Sequence, residues 1–319
     1  WMVRRQRQMC IRDSYKNVIK IRIMKRDKFI IGTRGSKLAL IYAEKVTKFL
    51  KKVSSTHIEI KQIVTSGDEN QNDRLSNIGG KGLFSKKIET ELINHKIDIA
   101  VHALKDMPTI ETEGLTTNFY LKRNSPNEIF ISNNNIKFQD LKPNSTIGTS
   151  SYRREYQLKN IRSDLNYKLI RGNVDTRINK LENGDYDAIL LSKAGIEALG
   201  LTNKITQEFD TEELIPCAGQ GIIAIQCRED DKEVINILEK INDNQSRVIA
   251  NAERNVLKIL EGDCDTAVGV YAKINKDIVN IKAELFSVDG KQRFYVDESE
   301  NEKMINDLSI KIGKKLKSE

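Results

Sequence analysis

From residue 28 to about residue 240, short apolar runs alternate with amphipathic stretches, and no other feature of this sequence constrains the fold so tightly. A short apolar run bounded by turn signals reads as a strand, while apolar residues recurring about every 3.6 positions mark a helix. By those rules KFIIGT (28–33) is a strand, and Ser36 caps a helix carrying Leu38, Ile41, Val46, Phe49 and Val53. HIEIKQIV (57–64) follows as a second strand, then a Gly-rich loop SNIGGKGLF (76–84), a helix to about His95, and the strand DIAVHAL (98–104). The same grammar restarts: STIGT (145–149) leads to the helix SYRREYQLKNI, YKLIR (167–171) to DTRINKLEN, and YDAILLS (186–192) to KAGIEALG. Such alternation predicts two α/β units, each built on a largely parallel sheet with crossover helices. GIIAIQC (221–227), after Pro216, is placed to rejoin the first sheet. From about residue 245 the order changes to one long helix, three strand-like runs and a final helix, which predicts a small separate α+β domain.

The chain has 319 residues and a formal net charge of +8, but residues 1–28 hold ten Lys or Arg against only Asp13 and Asp27. That segment accounts for the whole excess, so the remainder is balanced and any basic patch on it is local. Residues 1–23 are Arg-rich and acid-poor, as transit peptides are, and lack a secretory apolar core. The expected reading is a non-native or disordered leader, with Met24 as the natural start. No apolar run is long enough to span a membrane. Cys10, Cys217, Cys227 and Cys264 form no C-x-x-C pair and no metal spacing with the three histidines, so neither zinc nor any other metal is expected. Cys227, in an apolar run, reads as a buried inert thiol.

In open α/β sheets ligands bind beyond the carboxyl ends of strands, where helix N-termini also point. Arginines recur at those positions: Arg34 after the first strand, Arg153 and Arg154 at a helix start, Arg171 at a strand end, and Arg177 in the next first turn. Cations there oppose the helix macrodipole, so helix stability does not explain them. A bound carboxylate or phosphate does, because guanidinium forks grip such anions bidentately beside free backbone N–H groups. HALKDMPT (102–109) sets Lys105 and Asp106 just before a Pro-fixed turn, where an aspartate also commonly bonds backbone N–H groups. GGKGLF lacks the spacing of a nucleotide phosphate loop. EGDCDT (261–266) places Cys264 between two aspartates, which disfavours thiolate and makes it a poor general nucleophile unless its reaction partner is a cation.

Taken in order, TRGSKLAL, GGKGLF, DIAVHALKDMPT, IGTSSYRRE, RGNVDTRI, DAILLSKAG, GQGIIAIQCR and LEGDCDTAVGVYA resemble the porphobilinogen deaminases, also called hydroxymethylbilane synthases, from about Phe29 to the C-terminus. The resemblance implies two periplasmic-binding-protein-like (type II) α/β domains plus a small C-terminal α+β domain. Their expected extents are 24–121 with 217–240, 122–216, and 241–319. It implies a cytoplasmic, monomeric transferase that joins four porphobilinogen units head to tail, releasing ammonia each time, on a dipyrromethane primer. The primer's thioether falls on Cys264. Its attachment through a cationic azafulvene-type electrophile answers the puzzle of a thiol flanked by acids, since Glu261, Asp263 and Asp265 would draw that cation in. Asp106 matches the catalytic aspartate. Lys105, Arg153, Arg154, Arg177, Ser151 and Asp68 match or adjoin residues that bind the cofactor. Arg34, Ser36, Arg171, Phe84 and Lys81 match or adjoin those that bind substrate. Three positions depart from the family pattern: Ala103 where serine is common, Lys193 where a small or apolar residue is usual, and no proline after Cys264.

The main competing reading is a non-catalytic two-lobed carboxylate-binding protein, which predicts an export signal and no use for Cys264. A nucleic-acid binder would need its basic patch to survive removal of the leader, and neither nucleic acid nor membrane is expected as a partner.

Overall fold

A computed structural model describes residues 26–65, 82, 84–262 and 266–318. In the first lobe β1 (Lys28–Arg34), α1 (Lys37–Val53), β2 (His57–Ile63), α2 (Lys86–Ile93), β3 (Ile99–Ala103) and β4 (Leu115–Tyr120) follow in turn. The chain crosses to a second lobe comprising β5 (Glu128–Ser132), β6 (Thr146–Gly148), α3 (Tyr152–Ile161), β7 (Asn166–Lys168), α4 (Val174–Glu182), β8 (Ala188–Ser192), α5 (Lys193–Ala198) and β9 (Gln207–Phe209). It then returns through β10 (Ile223–Arg228) and α6 (Lys232–Leu238). A last unit holds α7 (Asn244–Leu260), β11 (Val268–Asn275), β12 (Ile278–Phe286), β13 (Arg293–Asn301) and α8 (Ile305–Lys317).

The two large sheets share one plan. The first runs β2-β1-β3-β10-β4 and the second β7-β6-β8-β5-β9. In each, four strands are parallel and the fourth position is filled by one antiparallel strand, β10 or β5. The sheets are thus largely parallel, as the alternation predicts, but the strand entering each lobe from a crossover runs against its neighbours. This is the two-lobed binding-protein-like architecture, completed by the antiparallel β11-β12-β13 sheet covered by α7 and α8.

Local chemistry starts the helices where the caps predict. The Ser36 hydroxyl accepts the Ala39 N–H at 3.3 Å to open α1. Its buried stripe is Tyr42, Ala43, Val46 and Leu50, not the expected Ile41 and Phe49. Phe49 stays 37% exposed, because the face that packs in the first-sheet core is the one carrying Tyr42, Ala43, Val46 and Leu50. α7 is strongly amphipathic and is capped at its C-terminus by Glu261, whose φ of 55° ends the helix.

Two crossovers run side by side between the lobes. The Asn124 N–H donates to the Gly221 carbonyl at 2.8 Å, and Gln220 Nε2 donates to the Pro126 carbonyl at 2.6 Å. Gly221 has φ +83°, and a Cβ there would lie 2.6 Å from the Asn124 oxygen, so only glycine fits. The third unit is keyed to this junction by Glu253 on α7. That fully buried carboxylate accepts from Arg123 Nη1 at 2.6 Å, Gly219 N at 2.7 Å and Ala272 N at 2.8 Å.

Candidate active site

The ends of β1, β3, β6 and β8 face one cleft of about 390 Å³ between the lobes, with part of the third unit as a further wall. Its described lining holds seven cationic side chains against two carboxylates, Asp106 and Asp175. In a cleft with low-dielectric walls that imbalance favours a polyanion.

Asp106 stands in the short 3-10 turn after β3, its side chain 38% exposed toward the cleft. Arg34, the last residue of β1, brings Nη1 to 3.9 Å from Asp106 Oδ2 and lays its guanidinium over the Phe84 ring, 4.0 Å from the centroid. Lys105 reaches across the cleft, and its Nζ donates to Ser192 Oγ of the other lobe at 3.4 Å. Ser36 and Ser151 both line the cleft, yet their hydroxyls also cap α1 and α3.

Arg153 and Arg154 carry a feature that motif reading missed. Both are buried, and both grip Glu128 of β5: Arg153 Nη2 donates to Oε1 at 2.6 Å and Arg154 Nη2 to Oε2 at 2.7 Å. Burial alone would push the Glu128 carboxyl up, but Arg154 and Arg153 outweigh it and hold the group at about 2. Two cations on one carboxylate leave a net positive charge facing the cleft. Part of what marked these arginines as ligand-binders is therefore an internal partner that lies 25 and 26 positions away in the chain. Arg171 is buried at the cleft wall. Burial, then the neighbouring Arg154 and Arg171, bring Arg177 down to about 10, while its Nε donates to the Gly172 carbonyl at 2.9 Å. A guanidinium so crowded by like charge is relieved when an anion arrives.

Asp68, Lys81 and Cys264 lie outside the described residues. Gly262 and Thr266, which bracket the cysteine segment, both line the cleft, as does Leu257 on the last turn of α7. Cys217, far from that segment in the chain, lines the same cleft, and its Sγ donates to Gln220 Oε1 at 3.5 Å. It belongs to the return crossover, whose path no local motif reveals. Cys227 is buried, its thiol pushed up to about 12 chiefly by that burial. Lys193 is turned away from the cleft lining and pairs with Glu208 at 2.6 Å, so it adds no cation to the cavity. His102 is buried and held neutral, burial pushing it down to about 4.

A dipyrrole whose rings each bear an acetate and a propionate fits this donor set. The cavity has room for it, and buried guanidiniums with excess positive charge suit anionic oxygens such as those of carboxylates.

The model of the family "Porphobilinogen deaminase, dipyromethane cofactor binding domain" matches residues 29–236, and that of "Porphobilinogen deaminase, C-terminal domain" matches 248–319. The porphobilinogen deaminase of Staphylococcus carnosus is 43% identical over 270 residues, covering 84% of this chain and 88% of that protein. That of Oceanobacillus iheyensis is 44% identical over 265 residues, 82% of this chain and 86% of its own length. Among solved structures the methionine binding protein MetQ aligns with a TM-score of 0.43 and 14% identity, covering 69% of this chain and 92% of that one; so distant a likeness carries no functional weight.

Proposed function

The chain belongs to the porphobilinogen deaminase family, and from that premise we propose how its own residues serve the reaction. It is a transferase, a hydroxymethylbilane synthase that condenses four porphobilinogen units head to tail and releases ammonia on each addition. Its cofactor is dipyrromethane. When bound, that group supplies the acceptor pyrrole to which the first unit is joined.

Cys264 is the tether, and Lys105, Arg153, Arg154, Arg177, Ser151 and Asp68 hold the cofactor's carboxylates and ring N–H groups. Arg34, Ser36, Arg171, Phe84 and Lys81 orient incoming porphobilinogen. Asp106 accepts hydrogen bonds from pyrrole N–H groups and stabilises the positive charge that develops on the substrate as ammonia departs. Arg34, whose Nη1 lies 3.9 Å from Asp106 Oδ2, is placed to grip a substrate carboxylate while the pyrrole N–H groups face Asp106. The three units run 24–121 with 217–240, 122–216 and 241–319, and the protein works as a cytoplasmic monomer without a nucleic-acid partner.

One observation carries the reading: the carboxylate of Asp106, in the turn after β3, stands inside a cleft whose described lining holds seven cations and only one other carboxylate, Asp175. The test is intact mass and bilane formation for four variants. Asp106→Asn should fold, keep a cofactor supplied ready-made and lose nearly all turnover, while Asp106→Glu keeps a little, its charge intact but misplaced. Cys264→Ser should lack the dipyrrole mass and all activity, whereas Cys217→Ser keeps the mass. Near-normal turnover by Asp106→Asn, or an adduct retained in Cys264→Ser, would sink the assignment.

A further inference from the structure

Arg254 lies on α7, the helix that runs into the cysteine segment, and its Nη2 donates to the Pro108 carbonyl at 2.6 Å. Pro108 is two residues beyond Asp106. Among the described residues Arg254 has no salt-bridged carboxylate, and burial lowers its pKa, with Tyr120 and Glu111 opposing only in part. A half-buried guanidinium without a paired anion loses hydration that one carbonyl only partly replaces, and an apolar side chain of similar length would pack there at no greater cost. Fold stability therefore gives no reason for an arginine at this position.

The turn it touches gives one. The Asp106 turn is pinned upstream, where Leu104 N donates to the Ile222 carbonyl and Met107 N to the Leu104 carbonyl, each at 3.0 Å. Among the described residues, the next backbone N–H beyond Met107 to donate to a backbone carbonyl is that of Leu115, to Thr112. Pro108 has no N–H, so its carbonyl is the one polar backbone handle at that residue. Arg254 holds it and is absent from the cleft lining, so it touches the turn and not the substrate.

We propose that Arg254 is a positioning residue for Asp106, by which the cofactor-bearing unit sets where the catalytic carboxylate stands. The proposal rests on the assignment of Asp106 made above. One helix then serves two ends: its Glu253 fixes the third unit to the crossovers, and the next residue fixes the catalytic turn. Placement of the tether loop and placement of the carboxylate are thereby mechanically linked.

The test compares cofactor-loaded Arg254→Ala, Arg254→Met and Arg254→Lys by steady-state kinetics, intact mass, thermal melting and hydrogen exchange of peptides spanning 104–112. For Ala and Met the dipyrrole mass is retained and exchange rises in those peptides alone. Their kcat falls about 10–100-fold, as misplacement by roughly an ångström does, with KM changed less than about twofold. Lys regains part of the lost kcat because its ammonium still donates to the carbonyl. Wild-type kcat in Arg254→Met, which keeps the packing and loses the hydrogen bond, overturns the proposal even if Arg254→Ala fails to fold. So does an exchange increase spread evenly over the chain. Asp106→Asn measured alongside separates the two ideas: if it is inactive while Arg254→Met is normal, only the positioning role fails.

Discussion

Glu128 makes the charge balance of the cleft a matter of one residue. Removing one partner of a buried ion pair typically costs about 3–5 kcal/mol, because the remaining charge stays dry and unanswered. Glu128→Gln leaves two buried guanidiniums in that state, so it should lower stability by an amount of that order in denaturant melts. The pH dependence has a definite sign. The folded value of about 2 lies below the ordinary 4.5, so the unfolded chain takes up the proton first as the solution is acidified. The carboxylate's contribution is complete above about 4.5 and is lost as pH falls through about 2. It is on the order of 3 kcal/mol. Melts of wild type and Glu128→Gln at pH 7, 4 and 3 should converge on acidification; parallel curves would show that the pair contributes nothing. Arginines at strand ends are legible in the sequence because their positions conflict with the helix dipole. Glu128 is not, because it meets them only through the antiparallel register of β5 with β8.

Elements were legible where local chemistry decides them. Ser36 announces α1, whereas Ser151 and Asp243, which cap α3 and α7 through the Arg154 and Ser246 N–H groups, are caps that the sequence pattern does not single out. What else the pattern misses is set at longer range. The buried stripe of α1 shifts by one position because its face is chosen by the sheet beneath it, and Cys217 enters the cleft because a crossover carries it there. The crossovers themselves rest on a glycine whose role is steric. Gly221→Ala places a methyl 2.6 Å from the Asn124 oxygen at a φ of +83°. Strain of that kind costs about 1–3 kcal/mol, and here the neighbouring backbone must also yield. The variant should melt earlier and weaken the Asn124 contact, seen as faster hydrogen exchange at the Asn124 N–H; an unchanged melting temperature would mean that the two segments have slack.

At the scale of the whole molecule the lobes share a plan but not a history. The second lobe's sheet is drawn from one continuous stretch, Glu128 to Phe209, whereas the first needs β10 from beyond it. A chain ending at residue 216 should therefore show a protease-resistant second lobe beside a first lobe that is readily cut; equal resistance would mean that β1 to β4 close a sheet unaided. β4 is bonded only to β10, and β3 has β10 on its far side. During synthesis the first lobe to emerge is thus the last to finish. Domains usually fold in the order they leave the ribosome. Here the N-terminal one must wait, with the edge of β3 open and β4 without a neighbour, until Arg228 has been translated. For that interval the nascent chain carries an unpaired strand edge of the kind that invites pairing with another molecule, and it carries it on the lobe destined to hold Asp106.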